Sequence, residues 1–277
     1  MEAASSKPAR RRGSSPCPIN LARANSCRRC SSVADRLSPG SGETADRNRS
    51  ATLPGLTHFR LADLPAQPWK NGGGLTREIA CWPPGAGLDD FLWRISVARI
   101  DAGGPFSRFA GVDRVITLLS GPGVVLRGDL PAGEHALTRP LAPFAFPGDV
   151  DVDCVLQGGA SEDFNVMSRR GSARTRVTVI RDSGELPPIA FGLLMAVGGT
   201  WEVDTGDGAR HVLAPCAGLW WAGATQRWRV RGAAPEGDAP ETGLLVVDIE
   251  LPSPNDGAGG NARAQATRDD TRGQEPI

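Results

Sequence analysis

Leu75-Thr76-Arg77-Glu78-Ile79-Ala80 and Trp93-Arg94-Ile95-Ser96-Val97-Ala98 are the two segments whose reading decides the fold. Successive side chains of a strand point to opposite faces. An extended 93–98 therefore puts Trp93, Ile95 and Val97 on one face and Arg94 and Ser96 on the other, and Thr76 and Glu78 share a face in the same way. A plain β-core would place apolar residues where these polar ones stand. If the polar faces look into a barrel, they line a pocket of Arg, Glu, Ser and Asn character, which suits a small anion; if they look outward, Arg77–Glu78 or Glu78–Arg94 are cross-strand pairs in solvent.

Outward from these segments the same grammar continues. Residues 55–251 consist of short apolar runs divided by Gly and Pro about every ten residues, the pattern of an all-β chain. Strands are expected near 75–81, 92–100, 115–119, 124–126, 150–156, 163–167 and 176–180, then near 193–197, 200–203, 218–221, 227–230 and 244–249. No apolar period of 3.6 persists over a dozen residues, so long helices are not expected. A Gly/Pro hinge at Gly184–Pro188 separates two strand groups, giving two stacked antiparallel barrels or one elongated sandwich. Residues 1–50 and 252–277 are poor in large apolar residues and read as disordered tails. The basic, Ser-rich leader has the composition of a transit peptide, and equally that of an upstream start in a GC-rich gene.

Charge narrows the function classes. The chain has 31 basic and 31 acidic residues, which argues against a general nucleic-acid or acidic-membrane binder. Residues 1–50 hold ten Lys/Arg against four Asp/Glu, leaving the remainder acidic. No apolar run approaches the roughly 18–20 residues of a membrane span, and no signal-peptide core follows Arg10-Arg11-Arg12. A cytoplasmic location is the default.

Motifs for metal or nucleophile chemistry are weak. Cys27-Arg28-Arg29-Cys30 has CxxC spacing but lacks a second pair or a nearby histidine. Cys81, Cys154 and Cys216 lie in or beside apolar segments, as small buried hydrophobes do. His58, His135 and His211 stand apart in sequence, and no serine sits in a GxSxG elbow, so no metal or cofactor is expected. Asn71-Gly72-Gly73-Gly74 lacks the phosphate-loop frame, because Lys70 precedes the glycines. It is either a flexible turn before a strand or a place where the backbone approaches a ligand closely, with Lys70 and Asn71 at a pocket mouth. In Asp163-Phe164-Asn165-Val166-Met167, Phe164 and Val166 face the core and Asp163, Asn165 and Met167 face away. Asn165 is a candidate for the same pocket as Arg94. Trp201, Trp220, Trp221 and Trp228 are expected in the core rather than in an aromatic box.

Five blocks then resemble the HutD/Ves family: Trp69-Lys70-Asn71-Gly72-Gly73-Gly74-x-Thr76-Arg77-Glu78-Ile79, Trp93-Arg94-x-Ser96-x-Ala98, Gly104-Pro105-Phe106-Ser107-x-Phe109-x-Gly111-x-Asp113-Arg114, Phe146-x-Gly148-Asp149 and Asp163-Phe164-Asn165-x-Met167-x-Arg169-Arg170. The resemblance implies a bicupin, a jelly-roll-like double barrel that lacks the usual cupin metal histidines and forms a homodimer. For the HutD branch it implies binding of N-formylglutamate and restraint of histidine utilisation without catalysis; the Ves branch is tied to stress responses. Two carboxylates and an amide ask for arginines, hydroxyls and an asparagine. Arg94 and Arg77 are the expected carboxylate partners, with Thr76, Ser96 and Asn165 hydrogen bonding, Glu78 orienting, and Lys70 and Asn71 at the rim. Arg114 and Arg169 are reserves that could instead pair with nearby aspartates. The rival expectations are a metal-free isomerase or lyase with Glu78 as base and Arg94 steadying an enolate-like charge, and a structural partner protein with a Trp-rich face.

Overall fold

The structure, a computed structural model, describes residues 55–206, 208–223, 225–232 and 241–252. The expected tails, 1–50 and nearly all of 252–277, lie outside them. The first group of strands is β1 (Leu56–Arg60), β2 (Ala66–Pro68), β3 (Gly74–Trp82), β4 (Trp93–Ile100), β5 (Gly104–Pro105), β6 (Val112–Ser120), β7 (Val124–Gly128), β8 (Glu134–Leu137), β9 (Phe144–Pro147), β10 (Val152–Leu156) and β11 (Ser161–Arg169). The second is β12 (Arg174–Ile180), β13 (Gly184–Ile189), β14 (Phe191–Val197), β15 (Trp201–Thr205), β16 (Arg210–Leu213), β17 (Ala217–Trp221), β18 (Gln226–Gly232) and β19 (Gly243–Glu250). Among the described residues the one helical element is a 3-10 turn, Leu61–Asp63. None of their helices is long and apolar enough to cross a membrane.

These strands form four antiparallel sheets stacked in layers. The outer sheet of the first unit, β5-β10-β7-β8, covers the six-stranded β2-β3-β4-β11-β6-β9. That sheet packs in turn on the five-stranded β1-β17-β14-β19-β12, which is backed by β13-β18-β15-β16. Three apolar layers fill the gaps. Ile100, Leu118, Leu126 and Val152 lie in the first, and Trp93, Ile95, Phe164, Val166, Leu193 and Leu245 in the central one. Trp201, Trp221 and Trp228 lie in the third. As expected, these tryptophans are core, and Trp220 packs against the central layer.

Two expectations need correction. Neither unit closes into a barrel; all four sheets are open. In three of the four, prolines mark an edge: Pro68, Pro105, Pro147 and the Pro187-Pro188 pair stand in β2, β5, β9 and β13, each an edge strand. Proline has no N–H to donate, so a ladder does not propagate past it. The Gly184–Pro188 hinge is also not a hinge. It is β13, paired with β18 through a register break between Leu186 and Ile189, where the two prolines sit. The passage between units falls earlier, between Arg169 and Arg174, since β12 already belongs to the second unit. β1 runs the other way: it precedes the first unit in sequence yet pairs with β17 of the second, Leu56 opposite Trp221 and Arg60 opposite Ala217.

Candidate functional site

The inner face of the six-stranded sheet changes character along its strands. At one end, Ile100 of β4 and Leu118 of β6 pack under the outer sheet. Toward the other end, the same faces present Ser96 and Arg94 on β4, Arg114 on β6, and Asp163, Asn165 and Met167 on β11. Register brings them together: β11 places Asn165 opposite Ser96 and Met167 opposite both Arg94 and Arg114. The four-stranded outer sheet does not extend over this polar end, leaving a cavity of about 770 Å³.

Thr76 and Glu78 complete the floor from β3, where Glu78 lies opposite Ser96. The ladder slips by one residue between Glu78 and Ala80, a bulge that lets Ile79 and Ala80 both join the central core. The Trp69–Asn71 turn, the Ala86–Leu88 loop and the Phe106–Phe109 loop form the walls and mouth. The glycine run packs tightly against its neighbouring strand. A Cβ on Gly74 would collide with the Arg99 carbonyl and press on the Trp69 ring, and Gly72 has φ +71. Asn71 Oδ1 accepts from the Gly73 N–H at 3.0 Å, and Trp69 Nε1 donates to Thr76 Oγ1 at 2.8 Å, so the rim is braced against the floor.

Two guanidiniums dominate the electrostatics. Arg94 donates from Nε to Glu78 Oε2 at 2.7 Å, the ion pair that orients it. Arg94 is 9 % exposed, and its terminal nitrogens make no hydrogen bond among the described residues. Arg114, 8 % exposed, donates from Nη2 to Asn165 Oδ1 at 2.9 Å. It is ringed by Phe106, Phe109 and Phe146, with their centroids 5.2, 5.9 and 5.1 Å away. Such faces attract a cation while keeping water from it. Burial lowers Arg114 to about 10, opposed by Asp163, so it remains charged at neutral pH. Asn165 passes the interaction on by donating from Nδ2 to Asp163 Oδ2. Burial pushes the Asp163 carboxyl up to about 7 against the pull of Arg114 and Asn165.

Of the residues singled out in the sequence, Lys70, Asn71, Thr76, Glu78, Arg94, Ser96 and Asn165 all line this one cavity. Arg77 does not. It pairs with Val97 on the β3 face turned toward the five-stranded sheet, because alternation sends it opposite to Thr76 and Glu78. Arg114, held only in reserve by the sequence reading, takes the central place instead. Its signal was present in the alternation of Arg114, Ile116 and Leu118 along β6. Arg169 is a loop anchor, donating to the Phe91 and Asp89 carbonyls. Asp113 and Asp149 are taken by Arg170. His58 and His211, distant in sequence, meet with ring centroids 4.9 Å apart. Among the described residues no three His, Cys, Asp or Glu side chains form a metal-binding group.

Open antiparallel sheets in cupin-like layers make this an all-β protein, with a polar, arginine-bearing cavity on its six-stranded sheet. A family model described as HutD matches residues 61–236, and the chain belongs to the HutD family, which includes the Ves proteins. It is 40 % identical over 149 residues to protein Ves of Citrobacter koseri, covering 53 % of this chain and 76 % of that one. It is 47 % identical over 125 residues to an uncharacterised 21.2 kDa protein in the hutC 3′ region of Pseudomonas putida, covering 44 % of this chain and 63 % of that one. Among solved structures, HutD from Pseudomonas fluorescens SBW25 superposes with a TM-score of 0.60 at 31 % identity, over 72 % of this chain and all of the other.

Proposed function

We propose that this chain is a receptor for a small carboxylate of the N-formylglutamate type and that it modulates histidine utilisation by binding rather than by turnover. The observation that carries this is the pair of buried guanidiniums, Arg94 and Arg114, facing one cavity with donors unspent. Arginine forks match carboxylates in a bidentate geometry, and a desolvated site makes each such bond stronger than in water. Thr76, Ser96 and Asn165 supply the hydroxyl and amide groups that an acylated amino acid would meet. The family name and the hutC-adjacent relative support the metabolic setting. Glu78 is committed to orienting Arg94, which disfavours the rival in which it serves as a catalytic base. Regulation would follow from differential affinity: the anion stabilises whichever state of the protein, alone or as a homodimer, binds it better.

Isothermal titration with N-formylglutamate, urocanate and glutamate tests this. Saturable heat is expected for N-formylglutamate. Arg94→Ala should weaken binding by about 30-fold or more, since losing one partner of a buried charged pair costs about 2–5 kcal/mol. Silence with all three anions, in protein shown to be folded, would sink the proposal.

A further inference from the structure

Asp163 stands in the cavity wall, 2 % exposed, with only one carboxylate oxygen engaged. Oδ2 accepts from Asn165, while Oδ1 is buried and has no partner among the described residues. Arg114 Nε is left in the same condition. Buried polar atoms are normally satisfied, so two orphans beside one cavity mark where another molecule supplies the partners.

Charge then decides the form of the partner. The groups around Asp163 are Arg114 on β6, Arg94 with its Glu78 on β4 and β3, the Cys154 thiol on β10, and Glu162, whose Oε2 accepts from Ser120. Arg94 and Glu78 cancel, and an ionised Asp163 would cancel Arg114. An entering anion would therefore leave uncompensated negative charge in a desolvated space, which is costly. A single proton on Asp163 frees the Arg114 charge for one of the ligand's two carboxylates, lowering that excess by one, and turns its orphan oxygen into a donor.

We propose that Asp163 is a ligand-binding group that takes up one proton from solvent when the anion enters and donates it from Oδ1 to an oxygen of the bound carboxylate. This rests on the anion-binding function proposed above and specifies its chemistry. The ligand must present an oxyanion to Asp163 while Arg94 and Arg114 hold its negative charge. No covalent bond to carbon changes; solvent gives up the proton on binding and recovers it on release. Because burial pushes the Asp163 carboxyl up to about 7, the uptake falls within the physiological range.

Titrating N-formylglutamate calorimetrically at pH 8 in HEPES and in Tris, which differ in ionisation heat, measures the proton count directly. The expected difference corresponds to about one proton taken up per anion bound, with Kd rising about tenfold per pH unit above 7. The ligand's own carboxyls are fully ionised there and add no slope. Asp163→Asn, neutral and still a donor, should bind with a Kd flat in pH and equal heats corrected for buffer. Binding with no buffer-dependent heat, or a pH slope that survives in Asp163→Asn, overturns the role of Asp163 alone. Absence of binding at every pH overturns it together with the anion-receptor function.

Discussion

At the scale of single residues, Asp163 also governs how the empty protein responds to pH. Its folded-state value of about 7 lies above the ordinary 3.8, so between these values the folded protein holds a proton that the unfolded chain has released. Stability contributed by this group is complete below about 4 and lost as pH rises through 7, a change on the order of a few kcal/mol. Asp163→Asn should flatten that slope in urea melts at pH 5 and pH 8, and should exceed wild type in stability at the higher pH. Gly74 makes a purely steric demand. Gly74→Ala drives a methyl into the backbone carbonyl of Arg99, which cannot swing away as a side chain could. Destabilisation of about 1–3 kcal/mol is expected from the shift in urea midpoint. Most cavity residues were legible in the sequence as polar interruptions of an apolar strand, Arg94 and Ser96 among them, but whether that polar face turns inward or to solvent is decided by packing. Arg77, between Thr76 and Glu78 in sequence, falls on the other face of β3 by the same alternation. Asp163 could not be weighed at all, because an unpartnered oxygen is a property of packing.

Among the elements, the long central strands were readable and the short edges were not. β3, β4, β6, β11, β14 and β19 carry runs of apolar residues that a core demands. β2, β5 and β9 have four residues or fewer and a proline each, so they look like loops in sequence. Their pairing is imposed by the neighbouring strand rather than by their own propensity. β1 is inconspicuous in sequence for a related reason: Leu56 and Phe59 are buried on opposite faces, in the third and the central layer, so no two-residue apolar period marks the strand. It nevertheless covers the edge of β17. Deleting residues 1–60 should expose that edge and the rim of Trp221. The expected outcome is a lower melting temperature and concentration-dependent aggregation in light scattering, as unprotected edges invite pairing with other chains.

For the whole molecule, the central apolar layer makes two sandwiches into one cooperative body. Trp93, Ile95 and Phe164 from the first unit interlock with Leu193, Met195 and Leu245 from the second, all fully buried. Leu245→Ala, made in the second unit, should cost about 2–5 kcal/mol. Amides of β4 and β11 in the first unit should lose hydrogen-exchange protection along with those of β14 and β19. Independent loss in the second unit alone would show that the units are uncoupled. The class of the fold was visible from punctuation and period, but its four open layers were not, because closure depends on which ladders stop and not on where strands begin.

The early strand that crosses to the far sheet has a consequence for biosynthesis. On the ribosome, Leu56–Arg60 emerges long before Ala217–Trp221, its only ladder partner among the described residues. Domains ordinarily fold from the N-terminus as they are made. Here the early strand must wait, without its ladder, until residues 217–221 have been made, so a nascent chain stalled before residue 217 would still present it to chaperones and proteases.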